Sequence, residues 1–555
     1  MPQEEFDVCV IGTGAGGGVM LQELTAAGFK VVALERGPKL ETADFMSDDE
    51  LSVQFRDELF SCGQLESWRR DAEVAATRGK YNNIAYCVGG TITHWGAWTW
   101  RLREDDFKVR SMEGPVAGAS LADWPISYDD MEPWYEKAEW EMGVSGVSGS
   151  NPFESPRSRG FPNPIHPDTA ATPYIRNALN RLGHDPFPVP LSINPQPYQG
   201  RPGCSYGGAC GGYGCPISAK ATTLSIHIPK ALATGNLDLR ADARVTEIVM
   251  GSDGKARGAR YIGKDGMERE VRAKQVVLAA GSIGSPHLML MSDSSSFPDG
   301  LANSTGLVGR NLTYHHFPIV IFTLDQPTFP YTGVETLMAT DNWHPSDSSR
   351  GFIRGGVVTD GNPTIKQPLV YGLVGVNGHP DLNERAWGAN LKTALRDFPR
   401  TAQLTAILED LPMESNQVDL DPDIRDEQGL PVPRITHKQH PNDLAMFKWF
   451  EKQMFDITNE AGAIKSWAPN SGYRLVDENS AMAGSVHIHG TCRMGDDPRE
   501  SVVNRWCQSH DVSNLWVVDG SFFPTSGGYN PTLTILANAY RVADHFVSEG
   551  KKGNI

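Results

Sequence analysis

The chain has 555 residues, of which 39% are hydrophobic and 21% are charged, so it is long enough for two or more domains with sizeable cores. Its 50 basic and 67 acidic side chains give a net charge of −17 at pH 7, which disfavours binding to nucleic acid or to anionic membranes. Its longest apolar runs fall short of the ~18 residues that cross a bilayer. Neither a nucleic-acid partner nor a direct membrane span is therefore expected.

The first predicted unit, residues 6–37, is a strand, a glycine turn, a helix and a second strand. The apolar run Val8–Ile11 predicts a buried parallel strand. The turn after it is a G-x-G-x-x-G pattern made by Gly12, Gly14 and Gly17. These glycines permit a tight turn, the close approach of a pyrophosphate to the helix N-terminus, and packing of the helix on the strand. Glu35 ends the second strand and suits a ribose 2′-hydroxyl, so the unit predicts FAD or NAD rather than NADP.

The middle of the chain predicts a return to the nucleotide domain and then a second domain. The Gly- and Trp-rich run at residues 86–101 indicates a backbone close to a large flat group. From residue 237 onward, alternating strands lead to a buried strand and a turn into a helix. Residues 315–475 contain the strand-like runs PIVIFTL, LVYGLVGV and QLTAILEDL and an amphipathic segment at 443–461. This stretch predicts a second, sheet-based domain.

Eight cysteines are distributed unevenly, and three of them lie within twelve residues. The three are Cys204, Cys210 and Cys215. A disulfide framework is not indicated in a chain of this size, so the grouping needs another explanation.

The C-terminal segment contains residues suited to the oxidation of an alcohol. Residues 485–495 read SVHIHGTCRMG, with imidazoles at His487 and His489, and Asn530 precedes a predicted helix. Removal of hydride from a carbinol carbon requires a base for the hydroxyl proton, and histidine suits that task near neutral pH. Asn530 could hold the same oxygen. The alternative is that two histidines in a glycine-containing loop are structural or face solvent.

Several motifs, in this order, resemble the glucose-methanol-choline (GMC) flavoprotein oxidoreductases along nearly the whole chain. They are VIGTGAGGG with LERG, VGGT followed by tryptophans, VVLAAGSIGSPHLML, LVGRNLTYHH, and the C-terminal H-x-x-G-T and N-P-x-L-T-I. The resemblance implies an α/β protein with a Rossmann-like FAD-binding domain and an α+β substrate domain built on a mainly antiparallel sheet. The FAD-binding domain would comprise residues 1–100, 236–316 and 478–555. The substrate domain would comprise 101–235 and 317–477, with the cysteine loop at 200–220.

The resemblance also implies roles for individual residues. His487 corresponds to the catalytic base and Asn530 to the second active-site position, while His489 is interpreted as a contact to the substrate or to the catalytic residues. The residues implied to bind FAD are Gly12, Gly14, Gly17, Glu35, Gly89, Gly90, Val245, Asp519 and Gly520. His94 resembles the histidine that carries flavin covalently in some relatives. An unbonded imidazole near the isoalloxazine ring is the alternative.

Within the family, residues 100–114 and the cysteine run are similar to the large subunits of bacterial membrane-linked sugar dehydrogenases, which carry an iron-sulfur cluster. The run CSYGGACGGYGCP has the pattern C-x5-C-x4-C, and three thiolate ligands suit a 3Fe-4S cluster. A zinc site would need a fourth ligand from outside the run. Three buried free thiols are the third interpretation.

The resemblance therefore implies an FAD-dependent dehydrogenase of a sugar, glycoside or sugar acid, with electrons leaving through the cluster to a small partner subunit and a cytochrome c. The alternatives are a GMC-type sugar or alcohol oxidase that uses oxygen, a non-catalytic subunit that holds FAD for electron transfer, and an NAD-dependent enzyme. The acidic start at residues 1–6 predicts no leader of its own. A periplasmic protein exported with its partner is expected, with the cytoplasm as the alternative.

Overall fold

The computed structural model of the chain describes residues 5–45, 65–207, 210–363, 365–382, 387–469 and 486–555. In these ranges the strands form a seven-stranded sheet, a six-stranded sheet, a four-stranded sheet and a two-stranded pair. The predicted domain boundaries stay a prediction, and 1–4, 46–64 and 478–485 of the predicted FAD-binding domain lie outside the described residues.

The first sheet brings together segments that are far apart in the chain. Its seven strands are Glu5–Ile11, Val31–Leu34, Leu237–Arg240, Arg244–Met250, Ala256–Ile262, Glu268–Leu278 and Leu515–Val517. Glu5–Ile11 lies between Val31–Leu34 and Glu268–Leu278 and runs parallel to both. Val31–Leu34 is buried along its whole length, as expected for a parallel strand that is covered on both faces.

Helices cover this sheet and join its first strand to the end of the chain. The helix Ala15–Ala26 follows the glycine turn and packs against His227–Ala233 and against the last helix, Thr532–Lys552. The helix Tyr128–Met142 also packs on Thr532–Lys552, and Gly281–Met291 follows the longest strand. Helices from the two ends of the chain therefore pack side by side in one layer over this sheet.

The second sheet is antiparallel throughout, as predicted. Its strands, in order, are Lys465–Trp467, Ile319–Thr323, Thr401–Leu408, Gly356–Thr359, Met338–Thr340 and Phe187–Pro188. Side chains alternate along Ile319–Thr323, so that Val320 and Phe322 pack with the helices Pro441–Glu460 and Thr172–Arg181. Ile319 and Ile321 pack on the opposite face.

The run LVYGLVGV is helical, and its prediction as a strand was wrong. It forms a short helix, Pro368–Val370, that continues into a π-helical turn, Tyr371–Gly375. A short apolar run cannot distinguish a strand from a buried helix by periodicity. Val370 and Val374 lie four residues apart, the spacing of one helix face, and both contact the cavity described below.

Smaller elements complete the described part of the fold. The four-stranded sheet contains Gln417–Arg425, Pro431–Thr436, Glu66–Arg69 and Thr77–Gly79, and Thr313–Tyr314 pairs with Ile488–His489. The remaining α-helices are Val109–Glu113 and Gly388–Leu395. Within the described ranges, no helix combines the length and apolar character that crossing a membrane requires.

Candidate active site

A cavity of about 620 Å³ runs from the nucleotide turn of the first sheet to side chains of the second sheet. This is within the usual range of ligand sites, about 300–1,000 Å³. One end is lined by Glu35 and Val245, and the other by His487 and Asn530. The wall that belongs to the second sheet and its connections is mostly apolar, and it includes Phe317, Ile319, Pro363, Val370, Val374 and Thr405.

The glycine turn has the geometry that the fingerprint predicts. Gly12 has a φ of +94°, and a Cβ there would lie 2.3 Å from the Ala279 carbonyl oxygen. A Cβ on Gly17 would lie 2.1 Å from the Gly12 carbonyl oxygen, so Gly17 lets the helix pack against the turn. Gly14 lines the cavity and has no other atom within 4 Å of its hypothetical Cβ. A diphosphate can therefore approach the backbone there.

Glu35 lies in the cavity wall, held by the turn that precedes it. Its Oε2 accepts hydrogen bonds from the Thr13 hydroxyl at 2.7 Å and the Thr13 backbone N–H at 3.1 Å, and Oε1 accepts one from Gly37 N–H at 3.2 Å. Burial raises the pKa of this carboxyl. The carboxylate retains acceptor capacity for a ribose hydroxyl, and Val245 lies at the same end of the cavity.

A second pair of glycines, Gly89 and Gly90, packs against the turn that contains Gly14. Gly90 has a φ of +62°, and its hypothetical Cβ would lie 2.8 Å from the Gly14 Cα. Gly89 donates its backbone N–H to the Thr13 hydroxyl at 2.9 Å. Gly90 lines the cavity, so the two glycine turns together leave room for a diphosphate between backbones.

Asp519 and Gly520 also line the cavity. The Asp519 carboxylate accepts the Gly281 N–H at 2.9 Å and the Ser521 hydroxyl at 2.6 Å, and it also accepts the Ser285 hydroxyl. A Cβ on Gly520 would lie 2.7 Å from the Ile488 carbonyl oxygen. These contacts fix the start of the helix Gly281–Met291 against the segment that carries His487.

His487 and Asn530 meet at the far end of the cavity. His487 Nε2 lies 3.1 Å from Asn530 Nδ2, and His487 Nδ1 lies 3.0 Å from His315 Nδ1. Burial and the neighbouring His315 lower the pKa of His487 well below its usual value. The imidazole is therefore neutral at physiological pH, which is the state that a general base needs.

Two side chains that the sequence reasoning did not assign hold this pair. His315 is buried, its Nε2 lies 2.6 Å from the Gly527 carbonyl oxygen, and burial lowers its pKa to about 4. Trp100 donates its indole N–H to Asn530 Oδ1 at 2.8 Å. Both residues belong to runs that carried the family resemblance, and the paired histidines of YHH were the signal available in the sequence.

His489 lies behind the reacting pair. It is fully buried, with ring centroids 4.6 Å from His315 and 5.1 Å from Phe523. Burial and the neighbouring His315 and His487 lower its pKa well below the usual value. Its contacts are thus to the side chains that support His487.

His94 connects the cavity to the cysteine loop. Its side chain is buried and lines the cavity, and its carbonyl oxygen accepts the Gly212 N–H at 2.6 Å. Gly211 and Gly212, which follow Cys210, line the same cavity. The loop that carries the cysteines is therefore in contact with the site.

The three cysteines of the loop are free thiols and are half-buried. Among the described residues, their three sulfur atoms do not lie within 4.8 Å of one another. The Tyr206 backbone N–H points to Cys204 Sγ at 3.3 Å. Burial raises the pKa of the Cys210 thiol to about 12.

Comparison with known proteins identifies two matching regions and full-length relatives. Family models described as GMC oxidoreductase match residues 189–317 and 412–539. The chain is 31% identical to the 2-methyl-1,2-propanediol dehydrogenase of Mycolicibacterium austroafricanum over 98% of this chain and 95% of that protein. It is 27% identical to the fructose dehydrogenase large subunit of Gluconobacter japonicus over 99% of this chain and 98% of that one.

A solved structure has the same fold. Pyridoxine 4-oxidase from Mesorbium loti superposes with a TM-score of 0.66 at 18% sequence identity, covering 98% of this chain and 99% of that chain. At this identity the likeness concerns the fold, and it agrees with the predicted fold class.

Proposed function

This chain belongs to the GMC oxidoreductase family of FAD-dependent enzymes that act on CH–OH groups, and we propose that it is a dehydrogenase of a sugar, glycoside or sugar acid. One observation carries the proposal. His487 Nε2 and Asn530 Nδ2 lie 3.1 Å apart on the wall of the same cavity that reaches the glycine turn and Glu35. A hydroxyl oxygen beside the pair, about 3 Å from each nitrogen, would meet an acceptor and a donor.

His487 would take the hydroxyl proton at Nε2, and Asn530 would hold the substrate oxygen with its Nδ2–H. Bound FAD supplies the acceptor for the hydride that leaves the carbinol carbon. Positioned base catalysis contributes about 10²- to 10⁴-fold to the rate. The substrate loses one proton and one hydride and becomes a carbonyl compound.

The residues that would hold FAD are those of the two glycine turns, Glu35 and Asp519. Gly14 and Gly90 leave their backbones open to the diphosphate, and the Ala15–Ala26 helix presents its N-terminus there. His94 would lie at the flavin end. Acid precipitation of the holoenzyme distinguishes the two alternatives for His94. A yellow protein pellet that loses its colour in His94→Ala supports a covalent flavin. A yellow supernatant supports a non-covalent contact.

Electrons would leave through a 3Fe-4S cluster held by Cys204, Cys210 and Cys215. The charges around the loop support an anionic group there. Lys220 and Lys366 are buried ammonium groups, and each donates to three backbone carbonyl oxygens. Two of the carbonyls that bind Lys220 belong to Cys210 and Tyr213. The cysteine thiols interact electrostatically with both lysines. The buried Glu335 carboxyl also interacts with both lysines, and a cluster with thiolate ligands would add negative charge beside these cations.

A small partner subunit and a cytochrome c would then receive the electrons, and the complex would work in the periplasm. The support is a full-length relative that is itself the large subunit of a dehydrogenase. Affinity purification from the native cell, with fractionation of the periplasm, tests both parts. Recovery of the chain alone from the cytoplasm would contradict them.

A dye-coupled assay of the holoenzyme against sugars, glycosides, sugar acids and simple alcohols tests the activity. We expect dye reduction with one class and a carbonyl product whose position is read by NMR. Rapid formation of peroxide without dye would favour the oxidase alternative. An unchanged rate after His487→Ala would favour the non-catalytic alternative.

A further inference from the structure

Five groups at the reacting end of the cavity form one continuous chain of hydrogen bonds. In order, they are the Gly527 carbonyl, His315, His487, Asn530 and the Trp100 indole. The successive distances are 2.6 Å, 3.0 Å, 3.1 Å and 2.8 Å. The two ends are groups of fixed type, because a carbonyl oxygen only accepts and an indole N–H only donates.

The positions of the protons in these hydrogen bonds can be assigned from the Gly527 carbonyl. His315 Nε2 must carry a proton to bond to the Gly527 carbonyl oxygen. If His315 is neutral, its Nδ1 is an acceptor, and His487 must therefore donate from Nδ1. A neutral His487 then has its lone pair at Nε2, the nitrogen that faces Asn530.

The indole end gives the same result without any assumption about charge. The Asn530 atom bonded to Trp100 must be oxygen, so the atom that faces His487 is Nδ2, a donor. His487 Nε2 therefore accepts, and its proton lies on Nδ1. His315 Nδ1 must accept that proton's bond, so His315 is neutral and carries its proton on Nε2. The two assignments agree at every bond.

We propose that Trp100 is a positioning residue whose indole N–H fixes the orientation of the Asn530 carboxamide, and through it the tautomer of His487. This inference rests on the proposed role of His487 as the base. His315 and the Gly527 carbonyl complete the same arrangement from the other side. The result is a ring that keeps its lone pair on Nε2, the nitrogen proposed to take the hydroxyl proton.

Loss of the indole N–H would remove the reason for this orientation. The carboxamide can then rotate, and Oδ1 can face His487. An oxygen in that place accepts a hydrogen bond from a protonated Nε2. This bond favours the tautomer that cannot act as a base at Nε2, and it stabilises the imidazolium. Trp100→Phe keeps an aromatic ring against Tyr529 and Phe187, whose centroids lie 5.6 Å and 6.0 Å from that of Trp100. It therefore tests the N–H rather than the packing.

Trp124→Phe is the matched control. Trp124 is also buried, and its indole N–H donates to the Thr525 hydroxyl at 3.0 Å, five residues before Asn530. This variant loses a comparable hydrogen bond to the same segment and leaves the five hydrogen-bonded groups unchanged.

NMR of the holoenzyme with ¹⁵N-labelled histidine tests the tautomers directly, and it needs no substrate. Signals are assigned by their loss in His487→Gln and His315→Gln. We expect a neutral His487 protonated at Nδ1 and a neutral His315 protonated at Nε2 near pH 7, and a mixture at His487 in Trp100→Phe. His487 protonated at Nε2 in the wild type, or an unchanged signal in Trp100→Phe, would overturn the proposal.

The rate of flavin reduction by the best compound of the substrate panel gives the second test. Trp100→Phe should lower the limiting rate about 10-fold or more, since small misplacements of reacting groups are this costly, with a smaller change in substrate affinity. The acidic limb of its pH profile should move up by about one unit. The titratable groups around His487 are His315 and His489, with His316 and Asp410 behind them, and all are unchanged in both tryptophan variants.

Asn530→Asp completes the test, because a carboxylate has no donor face. Asn530→Asp should move the acidic limb of the pH profile up by more than Trp100→Phe does. The double variant should behave much like Asn530→Asp alone, as expected for two residues that act in one unit. Additive effects, or a shift in Trp124→Phe equal to that in Trp100→Phe, would assign Trp100 a packing role only. A wild type with the expected tautomers but no turnover would instead contradict the proposed function.

Discussion

His487 lines the cavity as a neutral imidazole because it is buried. Burial opposes the imidazolium form, and the pKa of His487 falls well below the usual value. His315 and Asn530 occupy its two nitrogens. At the scale of single residues, the chemistry therefore depends on hydrogen-bond direction as much as on residue type.

Replacement of His487 by Gln should slow flavin reduction by about 10²- to 10⁴-fold, because the base is lost while an amide of similar size remains. Stopped-flow absorbance of the bound flavin measures this. His184→Gln is the control, since His184 packs against Trp343 outside the cavity lining. A loss of less than about threefold in His487→Gln would contradict the assignment of the base.

The pH dependence of kcat/KM follows from the same ring. A base with a lowered pKa stays unprotonated down to a lower pH, so the rate should be constant from about pH 8 to about pH 6.5 and fall only below that value. A profile between about pH 5 and pH 9 measures the limb. An acidic limb centred above about pH 7 would contradict a neutral His487.

At the scale of elements, strands and helices meet at a few buried contacts that fix the site. The strand Thr313–Tyr314 is followed by His315 and His316, so two adjacent imidazoles face different partners. His315 forms a hydrogen bond with His487. His316 Nε2 lies 3.4 Å from Asp410 Oδ1 and 3.9 Å from Asp443 Oδ2. Asp443 is in the first turn of the helix Pro441–Glu460.

His316→Gln should destabilise the fold by about 3 kcal/mol near pH 6, since it removes the imidazolium that faces the buried Asp443 and leaves His437 as the imidazole beside the buried Asp410. The two carboxylates raise the pKa of His316 to about 9. Its contribution is complete below about pH 6.5 and is lost as the pH rises through 9. Thermal unfolding midpoints of both proteins at several pH values measure the difference. A gap that widens toward pH 9 would contradict this ion pair.

The glycine turn gives a contrast between two neighbouring positions. Gly12→Ala should abolish FAD binding and lower stability, because the new Cβ would lie 2.3 Å from a carbonyl oxygen at a positive φ. Gly14→Ala meets nothing within 4 Å in the protein, so it should fold normally and bind FAD more weakly. Flavin content and unfolding of the apoproteins measure these effects. Normal FAD affinity in Gly14→Ala would contradict the close approach of the diphosphate.

At the scale of the whole molecule, one cavity joins the first sheet, the second sheet and the cysteine loop. His94 and the backbone of Gly211 and Gly212 bring the loop against the same space as His487. The last helix, Thr532–Lys552, packs on Ala15–Ala26, so the segment that carries Asn530 returns to the start of the chain.

Replacement of Cys204, Cys210 or Cys215 by Ala should remove iron and acid-labile sulfide from the purified protein and slow dye reduction, while substrate still reduces the flavin. Metal analysis and EPR measure the cluster. Cys9→Ala, which changes a buried thiol of the first strand, should retain iron. Purified wild-type protein without iron after anaerobic preparation would contradict the cluster.

The sequence alone determined the features that depend on neighbours in the chain. The turn at Gly12, Gly14 and Gly17 is local, because steric limits on φ and on close backbone approach act within a few residues. The strand-like runs at 315–475 predicted a sheet-based second domain, and the family resemblance implied that its sheet is antiparallel. The helical form of the run at 369–376 was not predictable, since it depends on two valines facing a cavity that other segments build.

Only the tertiary structure decided how the reacting side chains are held. Trp100, His315, His487 and Asn530 come from four separate segments, and the orientation of an amide or the tautomer of an imidazole depends on the atoms that face it. No residue pattern along the chain records those contacts. The sequence therefore pointed to His487 and Asn530 as candidates, whereas the direction of their hydrogen bonds required the folded molecule.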